Sequence, residues 1–152
     1  MITYKKASLK DIPKMQKLVL PEVESGKILH RSDDEVATNI RSYTLAFDQD
    51  KLVGFVALHI HSQNLAEIRS LIVDSTFRSK GIGKNLVLLA LKEATKLELK
   101  EVFTLTYEQE FFKRLNFKEI PKTSLPEHKI WADCIKCKHF PICDEIALIL
   151  EV

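Results

Sequence analysis

Between Leu65 and Leu97 the apolar residues change their period, and that change limits what the chain can fold into. "LAEIRSLIVD" (65–74) is an apolar run of strand length. From Ile82 the spacing turns helical, with Ile82, Leu86, Leu89, Ala90, Ala94 and Leu97 on or near one stripe and lysines and glutamates elsewhere. The junction is "RSKGIG" (78–83), which holds two of the chain's four glycines, Gly81 and Gly83. A strand therefore passes into a long helix through a short glycine loop. The first turn of a helix exposes unpaired N–H groups and carries partial positive charge. An anion, a diphosphate above all, binds there if the backbone can come close, and glycine permits that approach. Arg78, Lys80 and Lys84 would add countercharge. A glycine-eased turn among solvated lysines is the bland alternative.

The flanking segments suggest one mixed domain over residues 1–152. "ITYKKAS" (2–8) reads as a short strand. Ser8 or Asp11 can cap the next segment, with Pro13 in its first turn and helical spacing at Ile12, Met15, Leu18 and Val19. Pro21 and Gly26 break that pattern. "SDDEVATNIRSY" (32–43) opens with a capping box, Ser32 and Glu35, and places Val36, Ile40 and Tyr43 on one face. "TLAFDQ" (44–49), "KLVGFVALHIHS" (51–62) and 65–74 form an antiparallel meander, the first two joined by a tight "DQDK" turn. "EVFTLT" (101–106) is a strand, "EQEFFKRL" (108–115) a short helix and "DEIALILEV" (144–152) a closing strand. The class is α+β, a mostly antiparallel sheet of six to seven strands with about four helices. At 152 residues, 45% apolar and 29% charged, the chain has the composition of a soluble domain able to bury a core. A net charge of only +2 argues against nucleic acid as a partner.

Two familiar phosphate loops do not fit. A Walker loop would need glycine at Arg78 and Ser or Thr at Asn85, and a dinucleotide fold would need glycine at Leu86. The spacing present is Arg-x-x-Gly-x-Gly: Arg78, Gly81, Gly83. It resembles the acetyl-CoA loop of the GNAT superfamily of N-acetyltransferases, and the element order over 2–119 is similar to that fold. The resemblance implies that Arg78, Ser79, Lys80, Gly81, Ile82, Gly83 and Lys84 bind the cofactor, with its diphosphate on the N–H groups of roughly Lys80 to Lys84. The pantetheine arm would then run beside Leu71, Ile72 and Val73 as an added half-strand. The amide of Leu71 or Ile72 would face the acetyl oxygen in a gap between the fourth and fifth strands.

"AEIRSLIVDSTFRSKGIG", "LTYEQEFFKRLNF" and "LPEHKIWADCIKCKHFPICDE" further resemble short, stand-alone N-acetylglutamate synthase-like enzymes. That likeness implies acetylation of the α-amine of L-glutamate, the first step towards arginine, with Arg31 and Ser32 in the segment that holds the amino acid. Another small-molecule or protein amine is the alternative acceptor, and a non-catalytic acyl-CoA-binding module is the alternative of another class. An ammonium must lose a proton before it attacks a thioester, and Glu67 is the expected base. Strand period places Glu67, Arg69, Leu71 and Val73 on one face, so Arg69 would take a substrate carboxylate. Surface ion pairing is the ordinary reading of both charges. The family's Tyr-x-x-x-Gly-Phe pattern stands here as Phe112 to Phe117, with Phe112 for the tyrosine and Asn116 for the glycine. That leaves Tyr107, or water, as the acid.

Cys134, Cys137, His139 and Cys143 have a spacing that zinc would accept, but buried thiols in a loop at about 126–143 are the simpler expectation, and no metal is required. His128, Lys129 and Trp131 would shape the acceptor pocket; His59 and His61 read as structural. No export signal or membrane span is legible, so the expectation is a cytoplasmic protein without a membrane partner, able to form a homodimer.

Overall fold

The computed structural model describes residues 1–126 and 145–152. Within them seven strands build one sheet: β1 (Ile2–Lys6), β2 (Tyr43–Asp48), β3 (Lys51–Ile60), β4 (Leu65–Val73), β5 (Glu101–Thr106), β6 (Lys118–Ile120) and β7 (Ile146–Glu151). The α-helices of the same residues are α1 (Ile12–Glu24), α2 (Asp33–Thr38), α3 (Ile82–Lys96) and α4 (Gln109–Lys113). Strand order is β1-β2-β3-β4-β5-β7-β6, and every neighbouring pair is antiparallel except β4–β5. This is the α+β architecture expected. β6, with three residues and two charges, is too short to show a period in sequence.

Each face of the sheet has its own apolar core. α3 buries Ile82, Leu86, Val87, Ala90 and Ala94 against Val53, Val56, Leu58, Ala66 and Ile68. On the other face Met15, Val19 and Val36 from α1 and α2 cover Leu45, Phe55 and Ala57. The middle strands are thus covered on both sides, which is why β3 reads as a continuous apolar run.

Three helix expectations are corrected. Pro21 does not end α1, which continues to Glu24; the carbonyl of Pro21 still accepts from Ser25 N–H at 3.1 Å, and Gly26, at φ 81°, makes the stop. The segment 32–43 is not one helix. α2 stops at Thr38, a 3₁₀ turn covers Ile40–Ser42, and Tyr43 opens β2, its ring edge-on to Phe55 at 5.8 Å. Leu97 is exposed rather than buried on the stripe. Glu98 adopts φ 64°, and the N–H groups of Glu98 and Leu99 donate to Thr95 and Ala94, a Schellman ending that buries Leu99 instead.

β4 is irregular in two respects, and both bear on the cleft beside it. The register passes from Phe55↔Ile72 to Ala57↔Arg69, so β4 carries one extra residue, and Ser70 sits there at φ 57°. This bulge overturns the expected common face. Ala66 and Ile68 pack with α3, as do Leu71 and Val73, whereas Ile72 belongs to the α1 side. Glu67 and Arg69, alternating with Ala66 and Ile68, therefore face the α1 side, opposite Leu71 and Val73. In addition, the β4–β5 ladder spans only Leu65↔Glu101, Ala66↔Val102 and Glu67↔Phe103. Beyond it the Thr104 hydroxyl donates to the Ile68 carbonyl at 2.9 Å, a side chain standing in where the ladder has ended.

Candidate active site

The split between β4 and β5 opens a cleft of about 1010 Å³. Its walls come from the end of α1 and the loop after it, the second half of β4, the 77–84 loop, the end of β5 and α4. Of the fifteen residues that the sequence points to as a site, thirteen line this one cleft: Arg31, Glu67, Arg69, Leu71, Ile72, Val73, Arg78, Ser79, Gly81, Ile82, Gly83, Lys84 and Tyr107. Lys80 and Ser32 do not. The Lys80 ammonium lies over the Phe77 ring, 5.3 Å from its centroid. The Ser32 oxygen accepts the Glu35 N–H at 3.1 Å and so serves as the cap of α2.

At one end of the cleft the backbone makes the cradle. Gly81, at φ 82°, is the N-cap of α3, and the helical ladder begins with Asn85 N–H donating to its carbonyl at 3.0 Å. The N–H groups of Ile82, Gly83 and Lys84 precede that first bond, so helix geometry assigns them no intrahelical acceptor. Ser79 is also left-handed, at φ 65°. A β-carbon on Gly81 would meet no protein atom within 4 Å, whereas one on Gly83 would rest against Val73 and Phe111 at 3.6 and 3.7 Å. At Gly81 the positive φ, not contact with the protein, is what a side chain would meet first. Arg78 reaches back, donating to the Val73 carbonyl at 3.3 Å and to Glu22 on α1 at 3.4 Å.

The other end is polar and buried. Glu67 is 1% exposed, and its Oε1 lies 2.9 Å from His61 Nε2. His61, which reads as structural in sequence, is thus in contact with a residue of the cleft wall. Its signal lies in the meander: His59 is the register partner of Glu67, so His61 stands two residues further along the same face of the hairpin. Arg31, 8% exposed, donates to Glu35 at 2.7 Å. Gln16 on α1 donates to the Arg31 carbonyl at 2.7 Å and to Asp33 at 3.1 Å, which ties the segment before α2 to the sheet-covering helix. Tyr107 follows β5 directly, at the cleft wall and 38% exposed.

Phe112 is 2% exposed and packs edge-on to Phe117, so the tyrosine of the family pattern is replaced by a core phenylalanine. Asn116 adopts φ 72°, and Asn116 and Phe117 donate to Lys113 and Phe112. Asparagine tolerates that left-handed position, which is why it can stand for glycine. Among the described residues no group of three or more His, Cys, Asp or Glu could hold a metal ion, and no helix is long and apolar enough to cross a membrane. Cys134, Cys137, His139, Cys143, His128, Lys129 and Trp131 lie outside the described residues.

Comparison with known proteins meets this geometry. The Acetyltransferase (GNAT) family matches residues 10–117. An uncharacterized N-acetyltransferase of Chlorobaculum tepidum is 38% identical over 94% of this chain and 92% of its own. An amino-acid acetyltransferase of Mycobacterium tuberculosis is 36% identical over 78% of this chain and 70% of its own. In structure, N-acetylglutamate synthase from Neisseria gonorrhoeae, complexed with coenzyme A and N-acetyl-glutamate, superimposes at TM-score 0.88 and 22% identity. The match takes in 99% of this chain and 35% of that one, so this chain spans about a third of that synthase. A Mycobacterium tuberculosis protein in complex with CoA superimposes at 0.83 and 26% identity, over 99% of both chains.

Proposed function

Because this chain belongs to the Acetyltransferase (GNAT) family, an acetyl-CoA-dependent enzyme class, we propose that its acceptor is the α-amine of an amino acid, L-glutamate first. The observation that carries this reading is the buried Glu67 carboxylate, set where β4 and β5 part, in a cleft that Arg31 and Arg69 also line. Names borne by relatives agree: amino-acid acetyltransferase at 36% identity, and a synthase bound to N-acetyl-glutamate with the same fold.

The fit to acetyl-CoA rests on two features of the chain. The Ile82, Gly83 and Lys84 amides form an anion cradle at a helix start whose N-cap, Gly81, holds positive φ. Main chain at Leu71 to Val73 has no β5 partner, so an extended arm can pair there. When bound, acetyl-CoA supplies an activated acyl carbon. Everything else falls to the protein. Arg69 and Arg31 orient an acceptor carboxylate, Glu67 takes the ammonium proton directly or through one water, and the amine then attacks the acyl carbon. A new C–N bond forms as the C–S bond breaks. The thiolate takes a proton from Tyr107 or from water, and the second proton that the nitrogen sheds as the amide forms restores that donor through solvent.

The test is thiol release from acetyl-CoA with purified protein and a panel of amines: glutamate, glutamine, other amino acids, a polyamine and a lysine peptide. Turnover confined to glutamate, or to glutamate and glutamine, is the expected result. Preference for the polyamine or the peptide would overturn the acceptor assignment. Tight CoA binding without turnover on any amine would overturn the catalytic one.

A further inference from the structure

We propose that His61 is a positioning residue for the reaction: it fixes the Glu67 carboxylate that receives the acceptor's proton. The inference rests on the reading of Glu67 as the base. Three observations carry it. First, the Nε2–Oε1 separation is 2.9 Å, and both side chains are almost wholly buried, at 3% and 2% exposed. An ionised carboxylate can only accept, so with Glu67 charged it is His61 Nε2–H that donates in this contact. Second, the imidazole is itself held. Its centroid lies 4.8 Å from that of His59, edge to face, and 5.3 Å from that of Phe103. Third, Phe103 is the β5 residue in register with Glu67, the last pair before the strands separate. The imidazole is thus braced on the point where the cleft begins.

A buried carboxylate is costly unless hydrogen-bonded, and an unheld one would turn towards any available donor. His61 supplies the N–H donor, within hydrogen-bond distance and as deeply buried as the carboxylate itself. When Glu67 accepts the ammonium proton, the imidazole is also a buried neighbour in hydrogen-bond contact that can adjust to the changed charge. No further reactant is needed: the proton leaves the amine nitrogen and arrives at the Glu67 and His61 pair.

The experiment compares His61→Leu, His61→Gln and Glu67→Gln, singly and with His61→Leu and Glu67→Gln combined, in the full chain. Turnover uses the best amine of the panel, and CoA affinity is measured alongside as the check on folding. His61→Leu is expected to lower kcat roughly ten- to hundredfold, less than the roughly 10²–10⁴-fold of a general base lost outright, with KM for acetyl-CoA unchanged. His61→Gln, which retains an N–H at similar reach, should recover most of that loss. The double variant should be no slower than Glu67→Gln alone, because both changes remove one function. Wild-type turnover in Glu67→Gln would sink the base reading and this proposal with it. A slow Glu67→Gln beside a normal His61→Leu would sink the positioning role alone. So would a His61→Gln as slow as His61→Leu, or losses that multiply in the double variant. If His61→Leu fails to bind CoA, the glutamine variant decides by itself: a kcat within about threefold of wild type supports the role and a loss beyond tenfold overturns it.

Discussion

A β-carbon built on Gly54 would lie 2.9 Å from the Ile72 carbonyl oxygen and 3.3 Å from Leu86. The oxygen is main chain, beside the β4 bulge, and cannot swing aside. Gly54→Ala is expected to cost about 1–3 kcal/mol in urea denaturation, an overpacking penalty. Gly81 differs. Space is open around it, but φ is 82°, so Gly81→Val strains the loop by about 1–2 kcal/mol and moves the cap of α3. Calorimetry should show CoA binding weakened at least tenfold while the melting curve stays cooperative; full affinity would remove the loop from the cofactor site. Tyr107→Phe tests the acid. The phenol's loss should reduce kcat severalfold and leave KM for acetyl-CoA alone, and no change in kcat would assign the proton to water. At this scale the gathering of the glycines, Glu67 and the arginines around one cleft is legible in sequence, because strand period and the strand-to-helix junction place them. The His61 contact is not, since its partner lies six positions away across a hairpin.

The elements obey local rules where the signal is local. Asp11 accepts from the Ser8 N–H and hydroxyl, both at 2.9 Å, which locks the turn leading into α1. Burial works to raise the Asp11 pKa, but those Ser8 hydrogen bonds and the charges of Lys5 and Lys10 outweigh it, and the net direction is down. Asp74 is also lowered, chiefly by the Thr76 N–H and hydroxyl. For a depressed carboxyl the sign is fixed. Its stabilisation is present above the unfolded value, near 3.8, and is lost as pH falls through the lower folded value. Acid titration of stability should therefore show a loss below about pH 4 that Ser8→Ala makes shallower, with that variant costing about 1 kcal/mol at neutral pH. An unchanged acid limb would mean that the Ser8 contact does not set the Asp11 pKa. Periodicity places the central strands and α3 within a residue or two, because burial on a pleat or a stripe repeats. It misses the β4 bulge, where one serine in a left-handed conformation reverses every later side chain. No composition marks such a residue; the bulge shows only in the pairing of β4 with β3.

For the whole molecule, the cleft exists because one pair of strands stays together for three residues and then separates. Thr104 marks the branch. Thr104→Val keeps the shape but removes the hydroxyl from the Ile68 carbonyl, leaving a buried acceptor without that bond, at a cost of about 1–3 kcal/mol. Differential scanning of that variant should show the lower melting temperature narrowing towards wild type in saturating CoA if the ligand bridges the same branch. An equal gap with and without CoA would place the ligand elsewhere. By mass action, CoA at a hundred times its dissociation constant should add about 2.7 kcal/mol to the native protein.

The interrupted ladder has an outcome of its own. A sheet normally presents bare amides and carbonyls only at its outer margins, where any passing chain can pair with them. Here, among the described residues, the β4–β5 ladder stops inside the sheet, and the stretch beyond Glu67 and Phe103 borders a cleft of about 1010 Å³. An extended ligand with amides of its own could continue the sheet there, so on the proposed reading recognition of that shape comes before any chemistry at the acyl carbon.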